Sequence, residues 1–341
     1  MYFMRKIVFV FVAALLVIIA GCSNKQAQPE TDRTKVAAES QDNTPSYPEK
    51  PIELIVPFAP GGSTDVMARM IAKELPNYLP HKQQVAVINK PGAGTTLGLT
   101  EAATSKPDGY SIAISTSSGL DIQPHYGKTA YTIADFKPII KAYEITTAIS
   151  VKNDSPLKTY EDWLAFVQEN PGKFTYGASG GTGSGGHISM EKISNELGVK
   201  TKHVPFEGVA DVKNAILSGQ IMGGLLSPDT ETGGDIRPLV FDTASKGATD
   251  FYKDIPTTTE VGLETVASYY VGFLAPKDTP DEIVSILHDA IKEILEKPET
   301  QEVMVNQQLT SAYADSKDFS EVIENASINN KEMMEVLGLI K

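Results

Sequence analysis

The strongest constraint on this chain is an alternation. From Pro48 onward, short β-branched runs lead through glycine-rich turns into stretches with helical apolar periodicity. Residues 52–58 (IELIVPF) read as a buried strand, and residues 65–75 as a helix with Met67, Ile71 and Leu75 on one face. Further strands are predicted at 84–88, 110–115, 146–151, 174–178, 202–205 and 238–241. Helices are predicted at 160–169, 189–197, 209–217 and 281–295. Strands separated by helices cannot pair as hairpins, so the pattern points to an α/β protein with mostly parallel sheets. A length of 341 residues suggests about two domains.

The first residues follow a different logic. Arg5 and Lys6 precede an apolar run of 14 residues, 7–20. A membrane-spanning helix needs about 20, so the run fits the core of a signal peptide. It ends in Ile19-Ala20-Gly21-Cys22, which resembles the lipobox of bacterial lipoproteins and implies lipid attachment at Cys22, the only cysteine. A single cysteine excludes an internal disulfide framework. Residues 1–21 are thus expected to be a lipoprotein signal peptide. Residues 22–47, rich in Ser, Gln, Asn, Asp, Glu and Pro, are expected to be a lipidated cysteine and flexible tether. Removing the leader takes away two bases and no acids, leaving 28 bases against 43 acids and a net charge of -15. Nucleic acid is therefore not an expected partner, since phosphate binding needs a basic surface.

Two strand-to-helix turns share the pattern Ala-x-Gly-Gly-hydroxyl, 119 residues apart: Ala59-Pro60-Gly61-Gly62-Ser63-Thr64-Asp65 and Ala178-Ser179-Gly180-Gly181-Thr182-Gly183-Ser184. A Gly-Gly turn leaves backbone N–H groups unshielded, and the first helical turn adds unpaired N–H groups with partial positive charge. Together they can hold an anion without Lys or Arg. Ser63, Thr64, Thr182 and Ser184 add hydroxyls, and Asp65 can cap its helix or accept from a ligand. A third turn, Asn89-Lys90-Pro91-Gly92-Ala93-Gly94, reads mainly as turn structure, and His187 can cap, pack or meet a ligand.

Enzyme signatures are weaker. Gly181-x-Gly183-x-x-Gly186, with Glu207 about 20 residues on, formally matches a dinucleotide fingerprint, but glycines crowd this stretch. Gly177-Ala178-Ser179-Gly180-Gly181 formally matches the serine-hydrolase elbow. That elbow needs its helix at once, whereas here several glycines intervene. No His-x-x-x-His pair and no P-loop occurs, so neither a catalytic centre, a metal nor a cofactor is expected. Trp163 reads as a helix core residue.

The residues also carry a resemblance. Tyr47-Pro48, Lys50-Pro51-Ile52, the first glycine turn with its strand, and Ala68-Arg69 resemble the opening of the Bug/TctC-like solute-binding receptors of tripartite tricarboxylate transporters. Similar matches follow in family order: the third turn, Pro107-Asp108-Gly109-Tyr110, Tyr176-Gly177-Ala178-Ser179-Gly180, His203-Val204-Pro205-Phe206, Ile255-Pro256-Thr257-Thr258 and Phe273-Leu274-Ala275-Pro276.

The resemblance implies a two-lobed, periplasmic-binding-protein-like (Venus flytrap) fold closing on a small organic carboxylate. It places lobe 1 at 48–149 plus 269–341 and lobe 2 at 150–268, with crossings near Ser150 and Ser268. By position it implies ligand contacts from Phe58, Gly62, Ser63, Thr64 and Asp65 on one side. Ser179, Gly180, Gly181, Thr182, Gly183, Ser184 and His187 are implied on the other. It implies a non-enzymatic, monomeric receptor, lipid-anchored on the outer face of the cell membrane, that delivers its ligand to a two-component permease. An exported serine hydrolase and a flytrap sensor signalling to a membrane kinase are the rival readings. One departure stands out: Ile221-Met222-Gly223-Gly224-Leu225-Leu226 replaces the usual Val-Asp and apolar run, so ligand identity does not transfer across it.

Overall fold

A computed structural model describes residues 46–127, 129–227, 234–243, 253–265 and 269–341. The leader, Cys22, most of the tether and the crossing expected at Ser268 lie outside these residues.

The chain runs β1 (Ile52–Val56), α1 (Ser63–Glu74), β2 (Val85–Asn89), α2 (Thr96–Thr104), β3 (Ser111–Thr116), α3 (Gln123–Tyr126), β4 (Phe136–Ile145) and β5 (Ala148–Lys152). It continues through α4 (Tyr160–Glu169), β6 (Thr175–Ser179), α5 (Gly185–Glu196), β7 (Lys202–Phe206), α6 (Val209–Leu217), β8 (Gly223–Leu226) and β9 (Ile236–Phe241). It ends with β10 (Tyr269–Pro276), α7 (Asp281–Leu295), α8 (Pro298–Asn306), β11 (Leu309–Ala314) and α9 (Ser316–Val336).

The strands form two sheets, in the orders β11-β4-β10-β3-β1-β2 and β7-β6-β8-β5-β9. Each sheet is the centre of one lobe of a flytrap. The expectation of mostly parallel sheets is corrected. β1 pairs in parallel with β2 and β3, and β6 with β7 and β8. The pairings of β10 with β3 and β4, β11 with β4, and β5 with β8 and β9 are antiparallel. Parallel pairing survives where strand, turn and helix repeat. It is lost where β5 and β10, arriving from the other lobe, enter the middle of a sheet. The first crossing falls at Thr146 and Thr147, because Ser150 already lies inside β5, opposite Gly224 and Pro238.

Packing follows the period-two alternation of strand side chains. On β1, Ile52, Leu54 and Val56 face a core shared with Met67, Ile71 and Leu287, while Ile55 faces the opposite core with Leu99, Phe319 and Ile323. The strand is buried on both faces from Leu54 to Val56, which is why LIV is a continuous apolar run, while Glu53 near its start is exposed. In the second lobe Trp163, fully buried, meets Phe174 edge-on at 6.0 Å between ring centroids. Its helix starts from a capping box, in which Asp162 N–H donates to Thr159 Oγ1 and Thr159 N–H to Asp162 Oδ2.

The departure at residues 221–226 has a packing reason. A Cβ on Gly223 would lie 2.6 Å from both Phe174 Cζ and the Ser150 carbonyl, and one on Gly224 2.9 Å from Val212 Cγ1. The glycines let β8 sit directly under α6 and the aromatic core. Tyr47, expected in the tether, instead belongs to the folded body: it is buried, and its hydroxyl donates to the Gly109 carbonyl at 2.7 Å.

Candidate functional site

Both paired glycine turns lie at the carboxyl ends of parallel strands, β1 and β6, where open α/β sheets bind ligands. They differ in what they leave free. α1 begins at Ser63 behind Gly62, with no side chain capping it. The N–H of Gly61 donates to Asp65 Oδ2 at 2.9 Å, and that of Val66 to the Gly62 carbonyl. Among the described residues the N–H groups of Gly62, Ser63 and Thr64 make no hydrogen bond. Gly62 is exposed and a Cβ there would meet nothing within 4 Å, so the turn is open at this residue, whereas Thr64 is buried.

Asp65 is buried and its oxygens are engaged inside the protein. Oδ2 accepts from Gly61 N–H and from Arg69 Nε at 3.0 Å; Oδ1 accepts from Asn89 Nδ2 at 2.8 Å. Burial alone would raise its pKa, but the bonds from Arg69, Asn89 and Gly61 outweigh this and hold the carboxyl below the usual range. Asn89 also donates to the Phe58 carbonyl at 3.0 Å and accepts from Arg69. It thereby ties the first turn to the third, which starts at Asn89 itself. The half-buried Phe58 contributes a carbonyl to this frame and its side chain to the first-lobe core.

The second turn is mostly self-satisfied. Gly180 N–H donates to the Glu207 carbonyl at 3.3 Å and Gly181 N–H to the Phe206 carbonyl at 2.8 Å. Gly183 N–H donates to His187 Nδ1 at 3.0 Å, and His187 N–H to the capping Ser184 Oγ at 3.4 Å. Positive φ at Gly180, Gly181 and Gly183 (86°, 72° and 80°) makes this reversal possible and favours glycine at each. What remains unpaired among the described residues is the N–H of Thr182 and Gly186 and the half-buried Ser179 hydroxyl. His187 is buried and stacks on His203 with ring centroids 4.1 Å apart. Burial disfavours the charged form of both: it lowers the pKa of His187, and with His187 beside it pushes His203 down to about 4.

Glycine brackets of this kind can bind a carboxylate through backbone dipoles in a chain of net charge -13. Five residues separate Ser179 from the start of α5, and among the described residues no hydrogen bond joins it to a histidine. That helix starts at Gly185, earlier than the 189 expected, because Ser184 caps it. Among the described residues no group of three metal-binding side chains occurs, and no helix is long and apolar enough to cross a membrane.

Sequence reading missed three contributors. Gln123 Nε2 donates to the Gly183 carbonyl at 3.2 Å and lies against Gly94, joining the third turn to the second. Ser118 Oγ accepts from Gly185 N–H at 3.2 Å. Neither carries a local signal, since each contact spans 60 residues or more. Asn89 was visible only as the first residue of a turn motif.

Comparison with known proteins gives the family. Residues 67–339 match the family described as tripartite tricarboxylate transporter family receptor, TctC. A UPF0065 protein from the gbd 5' region of Cupriavidus necator is 30% identical over 310 residues, covering 89% of this chain and 93% of that protein. A TctC solute-binding protein from Polaromonas superposes with a TM-score of 0.69 at 31% identity, covering 85% and 99% of the two chains. The R. palustris protein Rpa4515, solved with adipate, gives 0.77 at 25% identity over 86% and 98%. The chain therefore belongs to the TctC family of solute-binding receptors of tripartite tricarboxylate transporters.

Proposed function

We propose that this receptor captures a small organic carboxylate between its lobes and delivers it to a two-component membrane permease. The reading extends to its location: a lipid on Cys22 holds the receptor at the outer face of the cell membrane. One observation carries the ligand class: α1 starts uncapped, with the N–H groups of Gly62, Ser63 and Thr64 unpaired among the described residues and open space at Gly62. A carboxylate oxygen is the acceptor such a start lacks. Thr182, Ser179 and the Gly186 N–H are the facing contacts. Gly180, Gly181, Gly183, Ser184, His187, Asp65 and Phe58 form the frame that aims them. The adipate held by the R. palustris relative supports the same class.

A thermal-shift screen of organic acids tests the class. A ligand at a hundred times its dissociation constant adds about 2.7 kcal/mol. A melting point that no carboxylate raises, but a neutral sugar does, refutes the reading. Gly62→Leu tests the site. The extra side chain enters open space, so folding should hold while affinity for whichever acid shifts the wild type falls at least about 100-fold, as expected when two charge-assisted hydrogen bonds are blocked. Unchanged affinity would remove the first turn from the site.

A further inference from the structure

After β3 the chain makes a single π-helical turn, Ser118–Ile122, and this segment of the first lobe is bonded to both ends of α5 in the second. At the near end, Ser118 accepts from Gly185 N–H and Gln123 donates to the Gly183 carbonyl. At the far end the link is a relay. Lys192 Nζ donates to Asn330 Oδ1 at 2.9 Å, and Asn330 Nδ2 donates to Asp121 Oδ1 at 2.8 Å. The other Asp121 oxygen accepts a short hydrogen bond from the Tyr270 hydroxyl, on the strand that re-enters the first lobe. Lys192 lies seven residues along α5 from Gly185, a rise of about 10 Å. Between the two ends Ile188 packs on Ile122 and Met334.

We propose that Asp121, Tyr270, Asn330 and Lys192 form an interlobe strut that fixes the angle of α5, and so the aim of the glycine turn before it, against the first lobe. They are positioning residues. The chemistry of the relay is directional: the amide at 330 donates through its nitrogen to the carboxylate and accepts through its oxygen from the ammonium. Asp121 is fully buried, so an ionised carboxylate there needs a nearby cation, and Lys192 supplies it from the other lobe. The titratable groups around Asp121 are Tyr270 from β10, Lys192 from α5 and, one turn on, His125. That histidine hydrogen-bonds Ser327 of α9 and feels Lys331 and Glu335. Burial pushes Asp121 up to about 7, against the bonds from Tyr270 and Asn330 and the charge on Lys192. Burial also lowers the pKa of Lys192, which the charge on Asp121 opposes. The strut therefore changes character near neutrality: below it Asp121 is protonated and Lys192 has no opposite charge to face, and above it the two form an ion pair relayed through Asn330.

Hydrogen exchange followed by mass spectrometry on the full chain tests this. Lys192→Met and Asn330→Leu are compared with wild type at pH 6 and pH 8, with rates normalised for intrinsic exchange. The expected result is roughly tenfold faster exchange in both Ser118–Ile122 and Gly185–Glu196 at pH 8, and a smaller increase at pH 6. Lys192→Arg should restore slow exchange. A change confined to the helical turns around 192 and 330, or one of equal size at both pH values, would overturn the strut. A second arm, affinity for adipate, rests on the carboxylate reading. It should weaken about tenfold in Lys192→Met, and unchanged affinity counts against the strut. If wild type ignores adipate, that ligand alone fails, and the exchange result still decides.

Discussion

Asp242 makes the stability of the second lobe depend on pH in a calculable way. It is fully buried just beyond β9, where its carboxylate accepts from Thr147 Oγ1 at 2.6 Å and from Ser189 Oγ at 3.0 Å. Burial dominates these bonds and pushes its pKa from 3.8 to about 7. In the unfolded chain the group is ionised throughout pH 5–8; in the fold it keeps its proton until about pH 7. Unfolding between pH 5 and 7 therefore releases a proton, and stability falls as pH rises, by about 1.4 kcal/mol per unit. Across that window the loss is about 2.5 kcal/mol. Asp242→Asn removes the titration but keeps the shape, because the Thr147 and Ser189 hydroxyls can accept as well as donate. Urea unfolding followed by Trp163 fluorescence, which reports from the same lobe, should give nearly equal stabilities at pH 5 and an advantage of about 2–3 kcal/mol to the variant at pH 8. Parallel pH profiles for the two proteins would mean that Asp242 is already ionised in the fold, and the reasoning would fail.

Other perturbations have equally definite outcomes. Acid acts in the opposite sense at His203: its folded pKa lies at about 4 against 6.5 unfolded, so stability present above about pH 6.5 drains away as pH falls toward 4, and His203→Gln should flatten that limb of a urea-midpoint profile. Gly185→Ala drives a Cβ into the ring of Tyr269; the clash should cost about 1–3 kcal/mol in calorimetry despite the better helix propensity of alanine. Thr159→Ala removes half of the α4 capping box and should lower the urea midpoint by the equivalent of about 1 kcal/mol.

The sequence made some elements plain and hid others, for physical reasons. β1, β2, β3, β6 and β7 were legible because parallel strands under helices must be apolar in short, turn-bounded runs. β4 was missed because Pro138 and its lysines break the pattern, which the sheet tolerates through register shifts against β10. β8 was missed because Gly223 and Gly224 resemble a turn, although close packing is what requires them. α9 presents so many polar residues that its apolar stripe, Phe319, Ile323 and Met334, is sparse. The first glycine turn was legible as a donor site, since its chemistry is local. The turn after β6 has the same local pattern, yet the end of β7 and the residue beyond it consume two of its N–H groups, a pairing that only the fold brings about. Long-range braces such as Gln123 and Asp121 leave no periodicity to read.

The clamp on Tyr47 fixes where the upstream chain departs. Gly109 and Tyr110 precede β3, so Tyr47 is pinned at the amino ends of β1 and β3, while the first glycine turn lies at the carboxyl end of β1, one strand length or roughly 17 Å away. On the proposed anchoring, the chain would therefore leave the folded body at the end opposite the first glycine turn. Under the proposed anchoring and delivery to a permease in the same bilayer, the receptor would have to turn over, and the length of the tether would set whether it can. Tether length would then be a transport parameter in its own right: shortening it should stop delivery while leaving capture intact.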